Sequence, residues 1–419
     1  GDKDQLASVE AGAVLGDLCQ GADAGGYSVA SAAALQALTG QALPAAMVAP
    51  QAAQVENAVR QQTVMLRRSR RFGGPIGALA AAVNAGDAAE VRRCLQADDP
   101  AVGSTVCVLA PEGQLSLMDS PPDEAAAAGL PAPGLQQRLL ARVLDGVALP
   151  ARADAPAAIV GSLRAVYQQV RRGPSGPDEA AHATWVQAVL AGFDGCRVLA
   201  ALRAGPWGVA GLNQALEGAL AQAGLIHPGS ARNGWYTGRP VLVTRNDPAA
   251  GVFNGDVGLA LPGPQGGPLR VWFADGPQLR SVGGAGPPQA DEPPSGGDAA
   301  GVWGRSVGGA GPPQADDSPS GGDAAGVGGR SVLASRLAQV DTAFAMTVHK
   351  SQGSEFAHTV LVLPPRVNPV LSRELLYTGI TRARQALTLV LPGPGVLEAA
   401  LARRTRRAGG LADGLAEAD

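Results

Sequence analysis

Lysine is almost absent: it stands at Lys3 and Lys350 alone, although Lys and Arg together number 33, so arginine carries nearly all the positive charge. A lysine kept in so arginine-biased a chain draws attention to Lys350. Cysteine is equally scarce. The four, Cys19, Cys94, Cys107 and Cys196, are far apart and form no C-x-x-C pair. Their spacing therefore suggests neither a zinc site nor a disulfide framework. No uncharged apolar run reaches the length of about 18 residues that a membrane span needs. The start, Gly1-Asp2-Lys3-Asp4, has neither the basic region nor the apolar core of a signal peptide. A soluble, cytoplasmic protein with no membrane partner is expected. The net charge of -3 argues against a surface coated in positive charge.

What is present is enough apolar residue for folding, 46% of 419, divided by many Gly (58) and Pro (33). Two or three domains and at least one loose segment follow. From about Ser28 to Ala191 the pattern is chiefly helical, with amphipathic stretches near Ser31 to Leu38, Ile76 to Val83, Leu135 to Leu144, Ile159 to Val170 and Glu179 to Leu190. Short β-like runs interrupt it at Thr63 to Leu66 and Thr105 to Leu109, and the opening reads as the end of a strand, a loop and a helix. After Cys196 strands are expected at Val198 to Leu202, Val241 to Val243, Val257 to Leu261 and Leu269 to Phe273, spaced as in a small barrel. From Ala343, strands Thr359 to Leu363 and Ala386 to Leu391 flank a helix at Leu371 to Arg382, as in a parallel α/β layer.

A tandem repeat separates these parts. The segment Arg280 to Gly304 recurs as Arg305 to Gly329, differing only at Glu292/Asp317, Pro293/Ser318 and Trp303/Gly328. Two copies without an apolar stripe cannot build a solenoid core, so a disordered surface loop is expected. Removing both copies joins Leu279 to Arg330-Ser331-Val332, a plain strand-like run, as if the repeat entered a hairpin tip.

Four stretches carry the chemistry. GDKDQL opens the chain at 1–6; LRRSRRF lies at 66–72; ALRAGPWGVAGLNQAL (201–216) is followed by GWYTGRPVLVTRND (234–247) and GVFNGDVG (251–258); and TVHKSQGSEF (347–356) precedes LLYTGITRAR (375–384). In the third, Trp235 and Tyr236 could stack on bases while Arg239, Arg245 and Asn254 meet phosphates; for each of these residues a structural role is the alternative. In the fourth, the small residues Ser351, Gly353 and Ser354 permit close backbone approach. No G-x-x-x-x-G-K-S/T loop occurs, so the residues that cradle nucleotide phosphates in P-loop proteins are not found in this sequence.

These stretches resemble RecD-type subunits of superfamily-1, UvrD/RecD-like DNA helicases: the first resembles motif III, the second motif IV, the third the second motor domain and the start of its SH3-like barrel, and the fourth motifs V and VI. The resemblance covers nearly the whole chain apart from the repeat. It implies an α/β fold: a RecA-like P-loop helicase second motor domain with an inserted small SH3-like β-barrel and a remnant of the first motor domain. The implied boundaries are residues 1–25 for that remnant, 26–233 for the helix-rich part of the second motor domain, 234–342 for the barrel region with its insert at 280–329, and 343–419 for the UvrD-like C-terminal part. By the resemblance, Gln5 reaches the γ-phosphate, Arg71 takes the motif IV arginine position and Arg382 is the arginine finger. Gly353 and Glu355 face the nucleotide, and Thr347, His349 and Lys350 face DNA, joined by Trp235, Arg245 and Asn254. Arg70 departs from the family, standing where an aromatic ring usually lies. The implied cofactors are ATP and Mg²⁺, held mainly by upstream residues, so an N-terminal truncation is expected. The implied partners are single-stranded DNA, duplex ends and homologues of RecB and RecC. The run Leu6 to Val14 and the stretch Gly205 to Val209 look more like the complex-forming type than the stand-alone RecD-like helicases. An inert DNA-binding or docking remnant is the remaining alternative.

Overall fold

The computed structural model describes residues 2–6, 14–19, 22, 25–49, 61–63, 73–96, 105–111, 133–151, 157–230, 233–274 and 329–405. Among these, a five-stranded parallel sheet forms the larger body. Its strands are β1 (Val106–Leu109), β4 (Cys196–Ala200), β10 (Ala345–Thr347), β11 (Phe356–Val362) and β12 (Ala383–Val390). They lie in the order β1-β12-β11-β4-β10, with His358 beside Cys196 and Val360 beside both Val198 and Thr388. Central strands covered on both faces read as continuous apolar runs, and Val360, Leu361 and Val362 are fully buried.

Helices cover this sheet where sequence periodicity and caps agree. Helix α6 (Leu163–Arg172) buries Leu163, Val166, Tyr167 and Val170, one face at helical spacing, and its N-cap Ser162 accepts from Ala165 N–H at 3.1 Å. The expected helical stretch from Ile159 begins too early. Ala158–Val160 is a strand, β3, paired antiparallel with β2 (Val147–Leu149), and Gly161 at φ +68° separates strand from helix. The other expected helices appear as α2 (Val29–Thr39), α3 (Gly74–Ala85), α5 (Pro133–Asp145) and α7 (Glu179–Asp194). With them come α1 (Val14–Leu18), α4 (Ala88–Gln96), α8 (Val209–Gln222), α9 (Arg373–Ile380) and α10 (Val396–Ala402). Two sequence expectations need correction: residues 2–6 form a turn rather than a strand end, and β4 starts two residues before the expected Val198. Thr63 is not in a strand, and the rest of its β-like run lies outside the described residues.

The second sheet is antiparallel, ordered β8-β7-β6-β5-β9, from β5 (Pro240–Val243), β6 (Val257–Gly263), β7 (Gly267–Phe273), β8 (Ser331–Leu333) and β9 (Val340–Thr342). All five fall in sequence between β4 and β10, which are neighbours in the large sheet. Val332 near one edge and Leu337 near the other share one apolar cluster with Val241, Val271 and Phe273. Residues 280–328 of the repeat lie outside the described residues, but its flanks fall where a hairpin insertion was expected: β7 pairs with β8, and Phe273 N–H donates to Arg330 O at 2.9 Å.

Two side chains join the sheets. Asn213 of α8 donates to Thr342 O at 2.9 Å and accepts from Ala345 N–H at 2.8 Å, bracketing the point where β9 gives way to β10. His182 of α7 meets Pro262 O at 3.0 Å and lies between the rings of Trp185 and Trp272.

Candidate nucleotide and DNA site

Between β10 and β11 the chain travels from one end of the large sheet to the other in eight residues, 348–355. Thr347 lies level with Ala200 at the carboxyl end of β4, whereas Phe356 lies two residues below the level of Cys196 at its start. Thr347 caps the first turn, its Oγ1 accepting from Lys350 N–H at 3.3 Å. Gly353 then reverses the chain at φ +86°, in the left-handed region that favours glycine.

At the amino end of the sheet the crossover meets Arg382, which immediately precedes β12. Arg382 is 2% exposed. Its Nε donates to Thr378 O at 3.1 Å, Nη1 to Ser354 O at 3.0 Å and Nη2 to Gln5 Oε1 at 2.7 Å. Gln5 in turn donates from Nε2 to Asp2 at 2.8 Å. Tyr377 stands beside this group, and burial, reinforced by the Asp2 carboxylate, raises its phenol well above the usual tyrosine range. The arrangement holds a permanently charged fork and an amide side by side, both donors suited to phosphoryl oxygens.

At the carboxyl end the crossover meets the small sheet. Lys350 Nζ donates to Asn254 Oδ1 at 2.8 Å, in the turn before β6. His349, Asn254 and Arg245 are exposed, Thr347 is buried, and Lys350 and Glu355 are half-buried. Trp235 is half-buried beneath Arg239, whose guanidinium lies 5.0 Å from the ring centre. Two side chains take the structural alternative. Tyr236 is buried with its hydroxyl on Glu217 of α8, so its ring packs in the core and offers no face to a base. Arg239 is occupied by Thr342 Oγ1 and Gly234 O as well as Trp235, which ties it to the fold. Arg71 lies outside the described residues. Gln352, Tyr377 and Thr378 were missed as site residues although all three sit inside the quoted motifs, whereas Ser354 was noted for close backbone approach, and its carbonyl is what meets Arg382. The signal of the missed residues is positional, because groups that bind backbone or support another side chain carry no distinctive chemistry.

A buried arginine thus stands just ahead of a central parallel strand, reached by a short crossover from the opposite end of the sheet. Residues 342–390 match the family model of the UvrD-like helicase C-terminal domain. The whole chain is similar to RecD: it is 30% identical to the RecBCD enzyme subunit RecD of Haemophilus influenzae over 98% of this chain and 49% of that protein. It is 31% identical to the RecD subunit of Mycobacterium tuberculosis over 98% of this chain and 47% of that protein. A shorter match, 28% identical over 198 residues, links 46% of the chain to 20% of the ATP-dependent RecD2 DNA helicase of Deinococcus radiodurans. The chain is thus a homologue of RecD subunits, and it spans about half the length of the RecD subunits it matches over 98% of its own length. No described helix is long and apolar enough to cross a membrane.

Proposed function

We propose that the chain is the second-motor-domain part of an ATP-dependent 5′ to 3′ DNA helicase subunit. It works with homologues of RecB and RecC in a cytoplasmic exodeoxyribonuclease V, in repair of double-strand breaks by homologous recombination. In this reading the large sheet is RecA-like, the small sheet is an SH3-like barrel and the turn at 2–6 belongs to the end of the first motor domain. Gln5, Arg71 and Arg382 meet the terminal phosphate of ATP, Gly353 and Glu355 face the nucleotide, and Mg²⁺ accompanies it. Trp235, Arg245, Asn254, Thr347, His349 and Lys350 face single-stranded DNA fed from duplex ends.

The observation that carries the reading is the contact between Gln5 and Arg382, 2.7 Å apart though separated by 377 positions. A phosphate-sensing amide and an arginine finger must converge on one phosphoryl group, and positioning plus charge stabilisation is most of what phosphoryl transfer asks of a protein. The crossover that supports Arg382 also reaches Lys350 and Asn254, which gives nucleotide and strand a shared element.

The test is unwinding by a longer protein that contains this sequence, purified with and without RecB and RecC homologues and given ATP, Mg²⁺ and duplexes tailed at 5′ or 3′ ends. Unwinding should require the 5′ tail. Unwinding from the 3′ tail alone would overturn the polarity, and none with intact partners would overturn the reading. The likeness to RecD2 supports a second reading, a stand-alone helicase, which expects full activity without partners. The 419-residue chain by itself, lacking a phosphate-cradling glycine loop, should behave as an inert DNA-binding or docking piece with no ATP turnover.

A further inference from the structure

Leu6 is held by both of its backbone polar groups. Its N–H donates to Thr378 Oγ1 at 2.8 Å, its carbonyl accepts from the Gln352 side-chain amide, and its side chain belongs to the main apolar core. Thr378 is fully buried in α9, one turn before Arg382, and its own carbonyl accepts from that arginine. Gln352 lies in the crossover two residues before Ser354, whose carbonyl accepts from the same guanidinium. The two elements that grip Leu6 are therefore the two that grip Arg382. Gln5, the next residue along, completes the circuit by placing Oε1 on Arg382. Farther out, Asp4 accepts from Asn84 of α3 at 2.9 Å. A buried backbone amide must find a partner, and within the sheets a neighbouring strand usually supplies it; here a hydroxyl and a side-chain amide take the strand's place.

We propose that Thr378 and Gln352 are positioning residues that clamp the Leu6 backbone and so deliver the Gln5 amide to Arg382. Any displacement of segment 2–6 then passes directly to the crossover and to the helix that carries the arginine. Its purpose rests on the reading of Gln5 and Arg382 as phosphate sensors, whereas the clamp itself is a statement about Leu6 and two side chains. The hydroxyl of Thr378 is the decisive group. Valine would fill the same space and leave the Leu6 N–H facing a methyl.

The experiment is amide hydrogen exchange on the purified 419-residue chain, read at Leu6 and along β4 and β11. In the unmodified chain Leu6 should be protected. Thr378→Val should speed exchange at Leu6 by about tenfold or more, the scale set by losing one buried hydrogen bond. Strands β4 and β11 should keep their protection, and Thr378→Ser, which restores the acceptor, should return Leu6 to slow exchange. Gln352→Ala should give a smaller rise at Leu6, about threefold. If Thr378→Val does not fold, Gln352→Ala at its half-buried position decides the matter alone: a rise confined to Leu6 supports the clamp and no rise overturns it. The clamp is also overturned if Leu6 exchanges freely in the unmodified chain, if Thr378→Val leaves it protected, if serine fails to rescue, or if protection falls equally across the sheet. None of these results depends on unwinding, so the clamp and the helicase reading can fail separately.

Discussion

In the large sheet Arg197, His358, Thr359 and Thr388 stand on central strands with at most 1% of their surface exposed, whereas the small sheet's own core is filled by valine, alanine, leucine and phenylalanine. Burying polar groups costs free energy unless each finds a partner. Arg197 finds most of its own: Asp194 at 2.9 Å, Ala343 O at 3.3 Å, and the rings of Phe193 and Phe356 at 4.4 and 5.2 Å. Burial nevertheless lowers its pKa, with Asp194 opposing the shift. The small sheet keeps Arg245 and Asn254 outside instead. In the proposed function the large sheet acts from within, through groups whose positions are fixed by packing, and the small sheet acts from its rim. Substitutions should separate the two by size of effect.

The largest effect belongs to Arg382. In the longer protein, Arg382→Ala should lower ATP-driven unwinding by about 10³ or more, the scale of losing an arginine finger, with single-strand affinity little changed. Unwinding and strand binding measured on one preparation give both values. Near-normal turnover at saturating ATP and DNA would sink the assignment and, with it, the claim that the interior of the large sheet does the chemistry.

Acid should discriminate next. His358 is buried between Cys196 and Thr388, its Nε2 2.9 Å from Thr388 Oγ1, and burial, aided by Arg142, lowers its pKa from 6.5 to about 3. The folded chain holds this imidazole neutral, while the unfolded chain takes up a proton below 6.5. Its contribution is thus complete above pH 6.5 and is lost as pH falls from there towards 3, by up to about 1.4 kcal/mol per unit. Between pH 6.5 and 5 the loss should reach roughly 2 kcal/mol in urea unfolding. His358→Gln, less stable at pH 7, should show a shallower acid slope; an identical slope would mean that His358 is not the group responsible.

Asn213 tests the seam between the sheets. Asn213→Ala leaves Ala345 N–H and Thr342 O without their side-chain partner and should cost about 1–3 kcal/mol in unfolding free energy. A loss below 0.5 kcal/mol, on the order of an ordinary surface change, would show that the sheets are held together elsewhere.

What the sequence made legible follows the same division. Helices α6 and α7 could be read because each repeats its apolar pattern over enough residues to show a period, and strands β6, β7, β11 and β12 because each forms an apolar run long enough to stand out. Strands β2, β3, β8, β9 and β10 have three residues each, too few for any period, and only pairing defines them. Tyr236 stayed open between a base-stacking and a structural role because its partner, Glu217, lies 19 positions away on α8, and a tyrosine beside a tryptophan looks the same whether it faces solvent or core. The resemblance directed Gln5 and Arg382 each to the γ-phosphate, but their direct contact was not expected, since nothing local in either segment indicates the other. The Leu6 clamp could not be expected at all, because backbone groups have no sequence signature.

Lys350 should give the smallest effect and tests the rim most directly. Its ammonium reaches Asn254 across the gap between the sheets, an exposed contact at 2.8 Å that contributes little to stability. If that ammonium meets a phosphate in the DNA complex, Lys350→Ala should reduce the slope of log K against log salt by about 0.7, the share of one phosphate on a single strand. Affinity at high salt should then be nearly unchanged. Asn254→Ala removes the lysine's protein partner and leaves its charge, so it should lower affinity without altering the slope. Titrations of labelled oligonucleotide over a tenfold salt range separate these outcomes. An unchanged slope for Lys350→Ala would make the lysine a strut between the sheets and would leave Arg245 to carry the rim's electrostatic contact with DNA.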